Sequence, residues 1–307
     1  MNDVRKTVTV FGSCNMDLVT YVETAPRRGE TVHGKRFHTV PGGKGANQAI
    51  AVARAGVDVG MIGAVGADEF AAQIRETLSA AHVDVAGVRT VSGHSGTAHI
   101  VVDDDGGNSI IVIPAANGTV DGLAAGDEER IAGSASLLLQ LETPLEGVAA
   151  AAEAARRHGV QVVLTPAPAV ELPADLLSRV DLLVPNEHEA AVLTGYEDPN
   201  RALPALLELV PEVVITWGGR GLLYGDRSGE VIEMPAHQVP VVDTTAAGDT
   251  FVGVLSAAVA AGVDMREALR RGTAASALSV QRNGASSSMP TDREITEFMS
   301  GENRAKD

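Results

Sequence analysis

The sequence of 307 residues contains a single cysteine, Cys14, so no disulfide can form within the chain. Such sparing use of cysteine is typical of a protein from a reducing compartment. Cys14 is a candidate nucleophile, but no histidine lies near it in the sequence to activate it. The eight histidines show no metal-ligand spacing with the cysteine, and His94 and His99 are expected to be structural or solvated.

Aromatic and basic residues are both scarce. Aromatic residues make up only 3% of the sequence, so the core must be built from alanine, valine, leucine and isoleucine. The sequence has 24 Lys and Arg residues and 40 Asp and Glu residues, which gives a formal charge of -16. This balance argues against nucleic acid or an anionic membrane as a partner, because basic patches bind both. It leaves a nucleotide substrate open, since local N–H groups and one or two cations can bind one.

Long apolar runs are absent as well. No run approaches the roughly 18 apolar residues that a membrane-spanning helix needs. The N-terminal stretch MNDVRKTVTVFGSCNMD contains no apolar segment long enough for a signal peptide. The sequence therefore predicts a soluble, cytoplasmic protein.

What is present is an alternation of predicted strands and helices. The stretch TVTVFGS (Thr7–Ser13) indicates a buried strand, and KGANQAIAVARAG (Lys44–Gly56) indicates a helix that ends at a glycine. Later strands are predicted in LLLQLE, VQVVLTPAP, DLLVPN and EVVITWG. Because these strands are nearly continuous apolar runs, we expect an α/β fold with a mostly parallel sheet covered by helices on both faces.

Two stretches interrupt this alternation. Residues 18–40 form a polar, alternating segment, and Thr97–Ile113 is predicted to be a hairpin around Asp105, Gly106 and Gly107. Neither fits a strand–helix–strand unit. Both are expected to belong to one small β-sheet that projects from the main domain and covers a site.

The stretch DTTAAGDTF (Asp243–Phe251) is the most informative short segment. The residues that follow space Phe251, Val254, Leu255, Ala258 and Val259 as one apolar helix face would. Ala246, Ala247 and Gly248 therefore lie at a predicted helix N-terminus, where free N–H groups can bind an anion such as phosphate. A carboxylate repels phosphate, so Asp249 is interpreted as the base that takes a proton from the attacking group.

Other polar residues follow predicted strands or open predicted helices. Asn15 and Asp17 lie just past the first strand, where open α/β sheets bind ligands, although a turn with local hydrogen bonds is the alternative. In PGGKGANQA, glycines allow close backbone approach, and Lys44 and Asn47 lie near one face of the first helical turn. This set suits a polyhydroxylated ligand. The alternative is an ordinary helix start with a solvated lysine.

Three further segments are candidates for ligand binding. Glu142 ends the predicted strand LLLQLE and can accept hydrogen bonds from sugar hydroxyls, or it is an exposed loop residue. Asn186 and Glu189 lie three residues apart, a spacing that suits either a capping box or a metal-bound water near phosphates. The glycines in TWGGRG (Thr216–Gly221) end another strand, as expected for a loop at the edge of a nucleotide.

Six motifs, namely GSCNMD, PGGKGANQA, QLE, PNEHEA, TWGGRG and DTTAAGDTF, occur in the order and approximate spacing of the ribokinase, or pfkB-type, carbohydrate kinase family. The resemblance covers about Thr7 to Phe298, and GGKGANQA and DTTAAGDTF are its most specific parts. It implies a single kinase domain over residues 1–307, with a Rossmann-like sheet and a lid formed by about 16–40 and 95–114. It also implies a homodimer that shares the lid.

The resemblance implies a role for each matching position. Asp249 would be the base, with the amides of Ala246, Ala247 and Gly248 as the anion hole. The residues that would hold the sugar hydroxyls are Asn15, Asp17, Gly43, Lys44, Asn47 and Glu142. Those along the ATP and magnesium side would be Asn186, Glu189, Thr216, Gly218, Gly221 and Gly248. An activating monovalent cation, usually potassium, would lie near Asp243, Thr245, Ser279, Arg282, Gly284 and Ser288, several of them acting through backbone carbonyls.

Three positions depart from the family pattern. Thr165 stands where asparagine is common, Trp217 replaces a smaller apolar residue, and Ser279 replaces a frequent alanine. They affect the nucleotide side and leave the implied reaction unchanged.

The implied reaction transfers the γ-phosphoryl group of ATP, with Mg²⁺, to the 5-hydroxyl of D-ribose. A nucleoside, 2-deoxyribose or a hexose is the alternative acceptor within the same chemistry. A sugar-binding sensor without activity is the alternative from a different class. A sensor would be expected to lose Asp249 or the anion hole, and the sequence retains both.

Overall fold

The computed structural model describes residues 7–105 and 107–304. Residues 1–6 of the segment inspected for a signal peptide, and Gly106 of the predicted hairpin turn, lie outside the described residues. Within the described residues, no helix is long and apolar enough to cross a membrane.

A large sheet forms the centre of the molecule. Its strands in the described chain are β1 (Val8–Phe11), β4 (Val59–Val65), β5 (Val83–Thr90), β8 (Ser136–Leu139), β9 (Gln161–Leu164), β10 (Leu182–Leu183), β11 (Glu212–Thr216), β12 (Leu222–Asp226) and β13 (Val231–Met234). They lie in the order β13-β12-β11-β10-β9-β8-β1-β4-β5. All neighbours from β11 to β5 are parallel, and only β12 and β13 at one edge are antiparallel. The predicted mostly parallel α/β fold is confirmed.

Helices cover both faces of this sheet. In the described chain they are α1 (Lys44–Arg54), α2 (Glu69–Ala80), α3 (Asp127–Ala132), α4 (Leu145–Arg157), α5 (Ala174–Leu177), α6 (Glu187–Thr194), α7 (Pro199–Leu209), α8 (Ala247–Ala260), α9 (Met265–Ser279) and α10 (Asp292–Arg304). Side chains of β1 alternate between two cores. Val8 and Val10 pack with α1, α2, α8 and α9, whereas Phe11 packs on the opposite face with α4 and α7. Apolar residues on both sides of each strand thus explain the continuous apolar runs.

A second, small sheet contains β2 (Asn15–Tyr21), β3 (Arg36–Gly42), β6 (Gly96–Val102) and β7 (Asn108–Ile113) in the order β3-β2-β6-β7. The predicted hairpin is the antiparallel pair of β6 and β7. Strand β6 also pairs in parallel with β2, and only three residues separate β2 from the end of β1. The small sheet therefore stands next to the carboxyl end of β1.

Helix α8 differs from its predicted form. Nearly every residue from Asp249 to Ala260 is buried, so the prediction of one apolar face is wrong. Val259, which the spacing assigns to that face, is only half-buried. The reason is that α8 packs against α1 on one side and α9 on another, so it needs apolar residues around most of its circumference.

Candidate active site

The carboxyl ends of the parallel strands converge on one edge of the large sheet. Ser13 follows β1, Glu142 follows β8, Thr165 follows β9 and Asn186 follows β10, while Thr216 is the last residue of β11. Open α/β sheets bind their ligands at this edge, because the loops there are free to meet a ligand. Glu142 lies three residues beyond β8 and is half-buried, so its predicted position at a strand end is wrong. It also is not an exposed loop residue.

Asp249 lies in the first turn of α8 and is only 8% exposed. Both of its carboxylate oxygens accept hydrogen bonds from amides of α1. Asn47 Nδ2 donates to Oδ2 at 3.2 Å, and Gln48 Nε2 donates to Oδ1 at 3.2 Å. The carboxylate is thus fixed by α1 across the α1–α8 contact.

Burial raises the pKa of Asp249 above its usual value, and Glu142 acts in the same direction. The ammonium of Lys44 and the two amide donors oppose the increase. A base with a raised pKa accepts a proton more readily, which suits removal of a proton from an alcohol.

Asp17, Lys44 and Glu142 surround the same space. Burial raises the pKa of Asp17 to about 7, and the negative charges of Glu142 and Asp249 add to this effect. Burial acts to lower the pKa of Lys44, but Asp249, Glu142 and Glu189 raise it above its usual value. Glu142 also accepts hydrogen bonds from Ser13 Oγ at 2.5 Å and from the Lys44 N–H at 3.0 Å. One ammonium thus sits among several carboxylates, an arrangement that can bind many hydroxyl groups.

Two glycines of PGGKGANQA are required by their surroundings. At Gly42, a Cβ atom would lie 2.2 Å from Asp17 Oδ2. Gly43 has φ +93°, and a Cβ atom there would lie 2.9 Å from the backbone nitrogen of Asn15. The glycines therefore let this loop lie directly against β2, which places Asn15 and Asp17 beside the first turn of α1. Asn15 and Asp17 belong to β2 itself, so the alternative of a turn at these residues is wrong.

The start of α8 forms the predicted anion-binding turn only in part. Ala246 precedes the helix in the left-handed region, with φ 57°, and no side chain caps the helix. The Ala247 N–H donates to the Thr244 carbonyl at 3.2 Å. Among the described residues, the Gly248 N–H has no such acceptor, and Gly248 is exposed. The turn thus offers fewer free N–H groups than the three predicted.

Two neighbouring cavities share this turn. The polar one has a volume of about 210 Å³ and is lined by Lys44, Asn186, Glu189 and Asp249, among others. The more apolar one has a volume of about 290 Å³, and Gly218, Gly221, Phe251 and Val280 are among its lining residues. Both cavities are bordered by Thr216, Thr244, Ala247 and Gly248. Residues predicted for the sugar side and the nucleotide side thus meet at the start of α8.

Asn186 and Glu189 form the predicted capping box at the start of α6. The Glu189 N–H donates to Asn186 Oδ1 at 2.8 Å, and the Asn186 N–H donates to Glu189 Oε2 at 2.8 Å. Burial raises the pKa of Glu189. The capping role accounts for this pair without a metal ion, and the carboxylate still borders the polar cavity.

Of the residues predicted for a monovalent cation, Asp243, Thr245 and Gly284 are in direct contact. Asp243 Oδ1 accepts from the Thr245 N–H at 2.9 Å, and Oδ2 accepts from the Gly284 N–H at 2.8 Å. Burial would raise the pKa of Asp243, but these donors and the Thr245 hydroxyl hold it below its usual value. The side chain of Arg282 is paired with Glu294 instead. Ser279 Oγ and Ser288 Oγ each donate to a nearby backbone carbonyl.

Three buried amide side chains at the site, those of Gln48, Gln140 and Asn117, were not predicted from the sequence. Gln48 donates to Asp249 and accepts from Gln140 Nε2 at 2.6 Å, so Gln140 fixes the orientation of Gln48. Asn117 contacts Asn15 at the other end of the site. Gln48 stands directly after Asn47 in PGGKGANQA, which was its only local signal.

Cys14 takes no part in this arrangement, whereas His237 is among the residues that line the more apolar cavity. Cys14 is fully buried, and burial raises the pKa of its thiol to about 12, so it does not supply a thiolate nucleophile. Within residues 7–105 and 107–304, no group of three His, Cys, Asp or Glu side chains could hold a metal ion.

Known proteins resemble this chain in sequence and in fold. Residues 5–292 match the pfkB family carbohydrate kinases. A ribokinase of Schizosaccharomyces pombe is 41% identical over 94% of this chain and 96% of its own length. A deoxyribokinase of Salmonella typhimurium is 35% identical over 95% of this chain and 98% of its own. The structure of Arabidopsis thaliana ribokinase complexed with ribose and ATP superimposes with a TM-score of 0.89 and 32% identity, covering 95% of this chain and 97% of that one.

Proposed function

Because the chain belongs to the pfkB family of carbohydrate kinases, we propose that it transfers the γ-phosphoryl group of ATP to the 5-hydroxyl of D-ribose. The observation that carries the proposal is the buried carboxylate of Asp249, held by two amides beside the turn that both cavities share. The ribokinase relative and the neighbour bound to ribose and ATP support this pair of substrates.

Each residue of the site has a part in this reaction. Asp249 accepts the proton of the attacking hydroxyl, which contributes about 10²–10⁴-fold to the rate. The N–H groups at the start of α8, together with Lys44, stabilise negative charge on the phosphoryl group during its transfer. The sugar hydroxyls are held by Asn15, Asp17, Gly43, Lys44, Asn47 and Glu142. The nucleotide lies in the more apolar cavity, against Thr216, Gly218 and Gly221.

A magnesium ion bound with ATP fits the residues beside the polar cavity. Mg²⁺ keeps several of its waters, and carboxylates commonly hold those waters. Both Glu189 oxygens already accept from Asn186, and each retains a lone pair for such a water. The ion would neutralise charge on the phosphates.

A cytoplasmic location is also proposed, because ATP is available there.

The test is a panel of acceptors assayed with purified protein, ATP and Mg²⁺. We expect ADP release with D-ribose and a phosphate on its 5-hydroxyl, identified by NMR of the product. 2-Deoxyribose is the second candidate, because a relative named deoxyribokinase is 35% identical. A nucleoside and a hexose complete the panel. If ADP is released with the nucleoside or the hexose but with neither pentose, the proposed acceptor is wrong. If no acceptor of the panel leads to ADP release, the result favours a sugar-binding sensor.

We further propose that a potassium ion binds beside Asp243 and activates the enzyme. Asp243 ties the loop before α8 to residues 280–284, since the Val242 N–H also donates to the Val280 carbonyl at 2.7 Å. A cation held by this ionised carboxylate and nearby carbonyls would fix the loop and favour an anion at its N–H groups. Ser279, Arg282 and Ser288 would contribute through their backbone oxygens.

Exchange of potassium for a bulky organic cation at constant ionic strength is therefore expected to lower kcat by about tenfold. Asp243→Ala should show low activity in either salt, because the carboxylate that holds the ion is gone. Steady-state rates in a series of potassium concentrations measure both effects. If wild-type activity does not respond to the exchange, Asp243 only caps the turn. A variant that potassium still activates would locate the ion elsewhere.

A homodimer formed through the small sheet is also proposed. Edge strand β7 exposes a continuous apolar run, in which Ile111 is 65% and Ile113 is 48% exposed, and Phe37 on β3 is 61% exposed. An exposed apolar edge strand of this kind marks an interaction surface. The lid would then be shared between two copies of the chain.

Ile111→Lys is expected to convert the dimer into monomers, because it puts a charge into the apolar contact. Sedimentation equilibrium measures the mass directly. The matched control is Val231→Lys, which changes an equally exposed valine on edge strand β13 of the large sheet and should leave the dimer intact. A wild-type protein that is monomeric at high concentration contradicts the proposal, as does an Ile111→Lys variant that remains dimeric.

A further inference from the structure

Asn117 is buried against the first residues of β2, although it lies far from them in the sequence. It is 1% exposed and belongs to a short 3₁₀ turn (Ala115–Thr119) directly after β7. Its amide makes three hydrogen bonds: Oδ1 accepts from the Cys14 N–H at 2.9 Å, and Nδ2 donates to the Cys14 carbonyl at 3.2 Å and to Asn15 Oδ1 at 2.7 Å. An ionised aspartate at this position could accept the first bond but could not donate the other two.

These bonds determine which way both amides point. The Cys14 N–H can only donate, so the atom of Asn117 that it meets must be the oxygen. The nitrogen of Asn117 therefore faces Asn15, and the atom of Asn15 that it meets must be an acceptor. Neither amide can be reversed without setting two donors or two acceptors against each other.

The space around this pair is filled. At Gly96, which pairs with Asn15 across the small sheet, a Cβ atom would lie 2.1 Å from Asn117 Nδ2 and 2.4 Å from Asn15 Oδ1. Asn15 itself is 2% exposed. Packing thus holds both side chains in place, and as long as Asn117 is present the hydrogen bonds allow only one orientation of each amide before a ligand arrives.

What remains for a ligand is the NH₂ group of Asn15. Asn15 lies two residues before Asp17 on the same face of β2, so both side chains point toward the site. Asn15 Oδ1 faces Asn117 and is packed against Gly96, so the NH₂ group is the part of the amide left to face the sugar, and Asn15 meets the sugar as a donor. Asp17 beside it is an acceptor when ionised. Asn15 therefore binds a hydrogen-bond acceptor on the sugar, whereas ionised Asp17 binds a donor.

We propose that Asn117 determines substrate specificity by positioning Asn15, which it forces to meet the sugar as a hydrogen-bond donor. The proposal rests on the proposed function, in which Asn15 binds one hydroxyl of a pentose. A hydroxyl oxygen accepts this bond, whereas a deoxy position leaves the buried NH₂ unpaired. The wild-type enzyme should therefore prefer ribose over the corresponding deoxyribose by about tenfold or more.

The test uses ribose, 2-deoxyribose and 3-deoxyribose, with the fluorodeoxyribose for each position. Fluorine accepts a hydrogen bond weakly and cannot donate one. At the position that Asn15 contacts, the wild type should use the fluoro sugar better than the deoxy sugar. The ratio of kcat/KM for two sugars on one protein sample is not changed by a fraction of inactive protein, so a structural defect alone cannot move it.

Asn117→Asp should invert that order. The new carboxylate can still accept from the Cys14 N–H, but its second oxygen would face Asn15 Oδ1. Asn15 then reverses its amide, donates to the carboxylate and presents Oδ1 to the sugar. A ribose hydroxyl can donate a hydrogen bond to this oxygen, but fluorine is repelled by it, so kcat/KM for the fluoro sugar should fall below that for the deoxy sugar.

Asn117→Ala provides a second variant in case the buried acid prevents folding. Without its fixed partner, Asn15 can adopt either orientation, and the preference for ribose over the deoxy sugar should shrink by about tenfold. Asn108→Asp is the matched control, because it makes the same chemical change at an exposed position of β7. Its sugar ratios should equal those of the wild type.

The outcomes separate the inference from the proposed function. If the wild type phosphorylates ribose and both Asn117 variants keep the wild-type ratios, the inference is wrong and the proposed function stands. If the wild type uses none of the pentoses, both are wrong. An inverted fluoro-to-deoxy order in Asn117→Asp supports the assignment of Asn15 as a donor.

Discussion

Asp249→Asn is expected to lower kcat by about 10²–10⁴-fold, while the dissociation constant for ribose changes little. The asparagine has nearly the same size as the aspartate, but it cannot accept a proton from the attacking hydroxyl. Its NH₂ group would also face one of the two amide donors, Asn47 or Gln48, that now bind the carboxylate. Steady-state kinetics with ATP and calorimetric titration with ribose separate turnover from binding.

The control for this substitution is Asp264→Asn. Asp264 caps α9 by accepting from the Glu267 N–H at 3.1 Å, and asparagine caps helices equally well. Its activity should match that of the wild type. An Asp249→Asn variant that retains more than about a tenth of the wild-type kcat would be incompatible with a general base.

The pH dependence of the wild type should report the same carboxylate. The pKa of Asp249 is raised by burial, so the protonated, inactive form persists to a higher pH than it does for an ordinary aspartate. The value of kcat/KM should therefore rise with pH through this pKa and then level off. Asp249→Asn should lose the contribution of Asp249 to this rise and keep that of Asp17, whose pKa is raised by burial to about 7.

Gly253→Val is expected to lower the free energy of unfolding by about 3 kcal/mol, as overpacking of a dense core does. Gly253 lies where α8 crosses α1. A Cβ atom there would lie 2.4 Å from the Ala51 Cβ and 2.8 Å from the Gln48 carbonyl oxygen. Valine would push the helices apart and move Asn47 and Gln48 away from Asp249, so activity should fall as well. Urea unfolding and kcat measure the two effects.

Gly301→Ala is the matched control for that substitution. Gly301 lies within α10, is exposed, and a Cβ atom there would have no neighbour within 4 Å. Alanine favours a helix over glycine by about 1 kcal/mol, so this variant should be as stable as the wild type or slightly more stable. Equal stability of Gly253→Val and the wild type would show that α1 and α8 can separate without cost.

Local sequence patterns predicted much of the fold. The near-continuous apolar strands indicated a parallel sheet covered on both faces, and Asn186 with Glu189 had the spacing of the capping box that forms. These features depend on residues only a few positions apart, where the geometry of a strand or a helical turn is fixed. The sequence does not indicate the antiparallel edge pair of β12 and β13, because LLYGD and VIEM mix apolar residues with glycine and acidic residues and form no continuous apolar run.

The buried amides could not be predicted in the same way. Gln48 contacts Gln140 across 92 residues of sequence, and Asn117 contacts Asn15 across 102 residues. Glutamine and asparagine are usually exposed, so their types suggest a solvated surface unless the partner is known. Only the tertiary fold brings these partners together. The burial of α8 around most of its circumference could not be predicted from its own sequence either. It depends on packing against α9, which follows α8 in the chain.

The contact between Asn47 and Asp249 also bears on how the protein is made. The two residues lie 202 positions apart, so the amide that holds the base leaves the ribosome long before the base does. Residues of β1, α1 and β2 can fold with the first parallel strands while α8 is still being synthesised. Until then, the α8-facing side of α1, including Ala51 and Val52, lacks its cover. A nascent chain arrested before α8 would therefore be inactive, and the exposed apolar face of α1 would be available for chaperones to bind.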